Sequence, residues 1–128
     1  MEEAIEKLAM IGFFVTGISH VCRPRLWAQF FIDLRTKGEI GSFINALIHF
    51  PMGALIVAFH NVWHGAATVL TLIGYSLLLK SLIYFVFPEI GLKGLGRVSL
   101  ERSREFVLAG GFSIALSAFL LLLVMRRV

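Results

Sequence analysis

Four apolar stretches dominate the sequence, and each is close to the length needed to cross a lipid bilayer. They cover residues 4–22, 42–60, 66–87 and 105–125. A helix needs about 20 predominantly apolar residues to span the hydrocarbon core, and a backbone in lipid must satisfy its own hydrogen bonds. The sequence therefore predicts an all-α fold: a four-helix transmembrane bundle that forms one integral membrane domain over residues 1–128.

The composition supports lipid as the main solvent of this chain. Apolar residues make up 58% of it, charged residues only 16%, and the mean hydropathy is +0.85. Soluble domains carry about 25% charged residues, so this chain has too few to cover a water-exposed surface. The net charge of +4 does not predict nucleic acid as a partner, because the basic residues lie in short runs between the apolar stretches, as in membrane-protein loops.

The loops predict how the bundle is oriented. The first and third connections carry the following basic residues: Arg23, Arg25, Arg35, Lys37, Lys93, Arg97, Arg102 and Arg104. The second connection, residues 61–65, has no Lys or Arg. Cytoplasmic loops are rich in both, so we expect the first and third connections in the cytoplasm and both termini outside, although Arg126 and Arg127 count against this. The acidic start does not resemble a secretory signal, and a bacterial inner (plasma) membrane is the expected location.

The first connection has the pattern of an amphipathic helix. Its large apolar residues recur at helical spacing on one face: Leu26, Trp27, Phe30, Phe31 and Leu34. Such a helix lies in the membrane interface, here on the cytoplasmic side, with Trp27 as an anchor. The alternative is a loop whose aromatic side chains pack on the bundle. Trp63, in the second connection, is predicted to be an interfacial anchor as well.

The two halves of the chain resemble each other. Residues 8–13 are echoed by residues 70–75, and each half runs from a helix through a proline and a basic connection to a second helix. This pattern predicts a parallel tandem repeat of helical hairpins, over residues 1–65 and 66–128. Two hydrophobic hairpins can also look alike by chance.

Two segments resemble a known family. Residues 17–27 contain a glycine, an apolar run, and then Pro24, Arg25 and Trp27, as at the end of the first helix of the YjeT-like small bacterial membrane proteins. Residues 104–112 contain a basic residue, Phe106 and a glycine cluster, which resemble the second helix of that family. The resemblance covers about a third of the chain and implies a doubled two-helix unit.

The chain also departs from that family's pattern. The second half lacks a tryptophan after Pro88, and the first half lacks the glycine cluster. The DoxX-like four-helix family, with its small residues and Arg-Pro loop, is a comparable candidate. Neither resemblance implies a catalytic site, so each bears on the fold and not on the activity.

A few ionisable residues within the apolar stretches are candidates for function, because such groups are costly in a membrane. His20, His49 and Lys80 are predicted to lie in the same half of the bilayer, with Tyr84 one turn from Lys80. Together they predict a cytoplasm-facing pocket suited to an anionic headgroup, a quinone or a proton. The alternatives are a Lys80 side chain that extends to the interface and a neutral His49 bonded to a neighbouring helix.

The other histidines and the cysteine predict no metal site. His60 and His64 stand four residues apart, but no Asp, Glu or Cys nearby completes a ligand set, and we interpret both as wetted interfacial residues. Cys22 is the single cysteine. Haem between two histidines of a helical bundle would need His20 and His49. No cofactor is therefore predicted, with haem or quinone as the alternatives.

Helix-packing residues complete the prediction. Small residues that permit close helix approach recur in the first and fourth stretches: Gly12, Gly17, Gly110, Gly111, Ser113, Ser117 and Ala118. No common catalytic motif is present, so we expect no enzyme. The leading hypothesis is an accessory or interaction subunit that contacts itself as a homo-oligomer or a larger membrane partner. The alternative is a lipid- or quinone-binding or small transport protein, and the third is a haem-bearing membrane anchor.

Overall fold

The computed structural model describes residues 1–127, which form six α-helices and one short 3₁₀ turn at Gly65–Ala67. The helices are α1 (Glu2–Cys22), α2 (Pro24–Thr36), α3 (Glu39–Phe59), α4 (Thr68–Val86), α5 (Pro88–Leu95) and α6 (Arg104–Met125). Within these residues there is no strand, which confirms the all-α prediction. Four helices are long and apolar enough to cross a membrane: α1, α3, α6, and α4 together with the 3₁₀ turn that precedes it. The chain is therefore a multi-pass membrane protein.

The short helices α2 and α5 begin in the same way. A residue that precedes proline is pushed out of the α conformation, and Arg23 (φ −133°, ψ 53°) and Phe87 (φ −124°, ψ 70°) both break the helix before them. Pro24 and Pro88 then occupy the first helical positions of α2 and α5, where proline is favoured. Each half of the chain is therefore a long helix, a proline-initiated short helix and a second long helix.

The two short helices were not equally predictable. The apolar spacing of the first connection predicted α2, and the structure confirms a helix there. The helix α5 was not predicted, because its glycines lower its helix propensity. One of them explains its position: a Cβ atom added at Gly91 would collide with Ser42 Oγ of α3. The missing side chain lets α5 pack directly on α3.

The long helices associate as two close pairs, α1 with α6 and α3 with α4. In the first pair the helices cross at glycines, since a Cβ atom added at Gly17 would lie 2.8 Å from the carbonyl oxygen of Gly110. In the second, a Cβ atom added at Gly53 would lie 3.2 Å from the carbonyl oxygen of Gly74. Small residues thus bring the backbones of both pairs into near contact.

Serines of α6 add hydrogen bonds to the first pair. Ser113 Oγ donates to the Phe13 carbonyl at 2.7 Å, and Ser117 Oγ donates to the Met10 carbonyl at 2.8 Å. The sequence predicted close helix approach at these small residues and did not identify the neighbouring helix. In the structure this small-residue face packs within the bundle, on α1.

Candidate functional site

A cavity of about 340 Å³ lies between the two helix pairs and receives side chains from all four long helices. We call it the His49 cavity; its lining residues are Gly12, Phe13, Thr16, His20, Ile48, His49, Met52, Leu77, Ala109 and Ser113. Thr16 and Ala109 are exposed, so the cavity opens at the side of the bundle. Its volume falls at the lower end of the range for small-molecule sites, about 300–1,000 Å³, which suits a headgroup or a single ring.

The two histidines of the cavity are held by the same local hydrogen bond. The Nδ1 of His20 lies 2.7 Å from the carbonyl oxygen of Thr16, and the Nδ1 of His49 lies 2.8 Å from that of Asn45. A carbonyl oxygen only accepts, so each Nδ1 carries the proton and donates it. In a neutral imidazole the Nε2 is then the free acceptor. Both rings are oriented by the turn that precedes them, before any ligand is present.

Lys80 joins the cavity through His49. Its Nζ lies 3.4 Å from His49 Nε2 and 5.6 Å from the centre of the Tyr84 ring, within the range of a cation–π contact. Among residues 1–127, the carboxylates that form salt bridges pair with other side chains, and none pairs with Lys80. The ammonium therefore lies in a membrane-spanning helix with an imidazole as its polar neighbour and no described counter-charge.

The four predicted site residues are thus brought together in space. His20 and His49 line one cavity, Lys80 contacts His49, and Tyr84 lies beside Lys80. Their role in binding stays a prediction. A haem ligand role is not favoured by this geometry, because Trp27 stacks on the His20 ring at 4.1 Å and Lys80 occupies the His49 Nε2.

The predicted anchors occupy different surroundings. Trp27 of α2 is half-buried: it stacks on His20 of α1, and its Nε1 donates to Ser19 Oγ at 2.8 Å. The aromatic face of α2 therefore packs on the bundle as well as forming a helix. Trp63 is 56% exposed and donates from Nε1 to Asn61 Oδ1. An interfacial role for either side chain stays a prediction.

A second polar cluster lies at the opposite end of the bundle, and the sequence analysis missed it. We call it the Glu6 network: Glu6, His60, Thr71 and Arg127. Glu6 Oε1 lies 2.9 Å from His60 Nε2, and Arg127 Nη1 donates to Glu6 Oε2 at 2.7 Å. Glu6 and His60 are both fully buried. The interpretation of His60 as a wetted interfacial residue was wrong, because the start of α1 covers it.

Thr71 links this network by hydrogen bonds to residues 61–65, the second connection. Its Oγ1 lies 3.3 Å from His60 Nδ1, accepts from the backbone N–H of Val62 at 3.0 Å, and lies 2.8 Å from the Val62 carbonyl. The signal that could have found this network is Glu6 itself. A carboxylate inside a predicted span requires a partner, and the histidine at the far end of the second span is the nearest candidate by depth.

Comparisons with known proteins give no relative for this chain. No protein-family model, no curated protein and no solved structure matches it. The resemblance to the YjeT-like and DoxX-like families therefore stays a prediction. Within residues 1–127, no three His, Cys, Asp or Glu side chains are grouped so that they could hold a metal ion.

Proposed function

We propose that this multi-pass membrane protein binds a small amphiphilic molecule, a lipid or a quinone, in the His49 cavity. The observation that carries the proposal is that His20 and His49 line one cavity formed by all four long helices, with Lys80 in contact with His49 beside it. A mostly apolar cavity with a few convergent polar groups is the usual form of a small-molecule site. Intramembrane ionisable residues that face such a cavity support the same conclusion.

Binding fits this arrangement better than conduction across the bilayer. On α3 the order toward the far end is Met52, which lines the cavity, then Ile56, then His60 of the Glu6 network. Ile56 is fully buried and packs in an apolar cluster with Ala9, Leu70 and Leu120. This dry layer separates the two polar regions, so we propose that the ligand reaches the cavity from one side. We propose no reaction on the ligand.

Native mass spectrometry of the full chain in mild detergent, together with an absorbance scan, tests this function. We expect a stoichiometric small molecule on the wild-type protein, reduced in Lys80→Met, which removes the ammonium at the cavity. Lys93→Met is the matched control, because Lys93 is exposed on α5, away from the cavity. Equal ligand content in all three proteins, or none in the wild type after reconstitution with lipid and quinone, would refute the proposal.

A second candidate is the accessory or interaction subunit, acting as a homo-oligomer or with a larger partner. Its supporting observation is the outer face of α6, where Gly111 and Ala115 are exposed and stand four residues apart. A Cβ atom added at Gly111 would have no neighbour within 4 Å. Small residues on a lipid-facing helix surface permit a second helix to approach closely.

Disulfide crosslinking distinguishes the second candidate from the first. Gly111→Cys in a Cys22→Ser background should form a dimer on oxidation in membranes if α6 meets another copy. Leu79→Cys, on the exposed face of α4, is the control for random collisions. Similar crosslinking at both positions would remove the support for self-association through α6.

We also propose a bacterial inner membrane location with both termini outside. The short helices α2 and α5 contact each other, which puts the basic first and third connections at one end, as the excess of Lys and Arg in cytoplasmic loops requires. At the other end, Arg127 is paired with Glu6 and Lys7 with Glu3.

In a Cys22→Ser background, an impermeant maleimide added to intact cells should label His64→Cys and not Lys93→Cys. The reverse pattern would invert the topology.

A further inference from the structure

A second, apolar groove of about 420 Å³ lies beside the His49 cavity, under α2. Its lining residues are Ser19, Leu26, Trp27, Phe30 and Ile48. Apart from Ser19, whose hydroxyl already accepts from Trp27 Nε1, these side chains are apolar or aromatic. The groove therefore offers contact to a hydrocarbon chain and little to a polar group.

The groove and the cavity are neighbours with shared walls. Ile48 of α3 lines both of them. On the other side, Trp27 lines the groove and stacks on His20, which lines the cavity. The His20–Trp27 stack and Ile48 together separate the apolar groove from the His49 cavity, which is mostly apolar but carries the imidazoles of His20 and His49. An amphiphile has two corresponding parts, a polar head and an apolar chain joined to it.

The charge of Lys80, beside the His49 cavity, favours one class of amphiphile. Lys80 has no carboxylate partner among the described residues, and an unpaired ammonium in low dielectric attracts an anion strongly. A neutral quinone head would leave that charge uncompensated, whereas a phosphate or carboxylate head would neutralise it. The cavity volume also suits one such head.

We propose that the ligand is an anionic lipid whose head is held at His49 and Lys80 and whose hydrocarbon chain lies in the groove of Leu26, Phe30 and Ile48. This inference rests on the proposed function and adds the charge of the ligand and the path of its chain.

The experiment uses the full chain in phosphatidylcholine nanodiscs and an alkyl phosphate that carries a diazirine in its chain. After photolysis, mass spectrometry should locate the label on α2 and at Ile48, above the even labelling given by diazirine-bearing phosphatidylcholine. Lys80→Gln should remove the excess label at these positions. Leu26→Trp, which fills the groove, should weaken alkyl phosphate binding roughly tenfold. Ile40→Trp is the matched control, since Leu26 and Ile40 are 66% and 68% exposed.

The possible results separate the two proposals. Saturable binding that Lys80→Gln abolishes, with no excess label in the groove and no effect of Leu26→Trp, would overturn the chain path and leave the proposed function standing. A neutral quinone that displaces the alkyl phosphate at equal concentration would overturn the anionic class alone. If neither alkyl phosphate nor quinone binds saturably, the proposed function fails and this inference fails with it.

Discussion

The Glu6 network and the His49 cavity are both polar regions inside an apolar bundle, but they differ in how their polar atoms are paired. In the Glu6 network, both carboxylate oxygens of Glu6 and both ring nitrogens of His60 lie within hydrogen-bond distance of a partner, and Glu6 and His60 are fully buried. Beside the His49 cavity, which is open volume, Lys80 has the His49 imidazole as its polar neighbour and no described carboxylate. The first region is closed, whereas the second combines a charge that has no described counter-charge with open volume.

A buried ionisable residue is therefore not by itself evidence of a binding site. A buried charge is tolerated when it is paired and hydrogen-bonded, and such a group stabilises one arrangement of helices. A charge left beside an unfilled cavity lacks that compensation in the protein alone. A role in ligand binding is therefore expected for a charge whose pairing is incomplete, and a role in the stability of the fold for a charge whose pairing is complete.

The largest expected effect is at the closed network. Glu6→Leu leaves His60 and Arg127 without their acceptor, and breaking a buried pair costs about 3–5 kcal/mol. We expect the lower end, because the Arg127 side chain is 37% exposed and can be hydrated. The measurement is the free energy of unfolding in detergent, with Glu2→Leu, an exposed position one turn earlier in α1, as control. A loss no greater than that of the control would show that the network is not structural.

The next effect concerns the close packing of α1 on α6 at their glycine crossing. A Cβ atom added at Gly110 would lie 2.7 Å from the Gly17 carbonyl oxygen, so Gly110→Val should destabilise the protein by about 1–3 kcal/mol. Gly111→Val is the control, since nothing lies within 4 Å of a Cβ atom there. Equal thermal stability of the two variants would contradict the close crossing.

A loss of the same order is expected for Thr71→Val, a substitution that keeps the shape of the side chain. The backbone N–H of Val62 would lose its acceptor, and a buried unsatisfied group costs about 1–3 kcal/mol. Thermal unfolding measures the change, and Ser76→Ala, whose exposed hydroxyl bonds only to its own helix, is the control. Ligand content should not change, since Thr71 does not line the cavity. A loss of ligand in Thr71→Val would mean that the two polar regions are coupled.

The smallest expected effect has the opposite sign, and it distinguishes the role of Lys80 from that of Glu6. Lys80→Met removes a charge that pairs with no carboxylate among residues 1–127. The ligand-free protein should therefore keep its stability or gain about 1 kcal/mol, as when apolar residues replace buried charges. Added ligand should raise the unfolding temperature of the wild type and of Lys93→Met, but not of Lys80→Met. A clear destabilisation of ligand-free Lys80→Met would mean that Lys80 is structural, like Glu6.

Much of the fold could be predicted from the chain alone. Runs of about 20 apolar residues define the long helices, and Pro24 and Pro88 mark where two of them end, because both signals are local. The spacing of the large apolar side chains after Pro24 predicted α2 in the same way. The short helix α5 was missed because tertiary packing at Gly91, and not local propensity, explains it.

The candidate site was predictable in part. His20, His49, Lys80 and Tyr84 were grouped by their depth in the membrane, and depth follows from position in a span. Depth alone does not say which helices are neighbours, and the pairing of α1 with α6 and of α3 with α4 leaves the cavity between the pairs. That pairing depends on where glycines of distant segments meet, such as Gly17 with Gly110.

The amino-acid sequence was sufficient to predict that this protein is helical and spans a membrane, and in which span each ionisable side chain lies. Only the tertiary structure decided which of those side chains are compensated. Glu6 and His60 are 54 residues apart in the chain, and Glu6 and Arg127 are 121 apart, so no local pattern joins them. The pairing of charges depends on distances between helices, which the folded bundle alone defines.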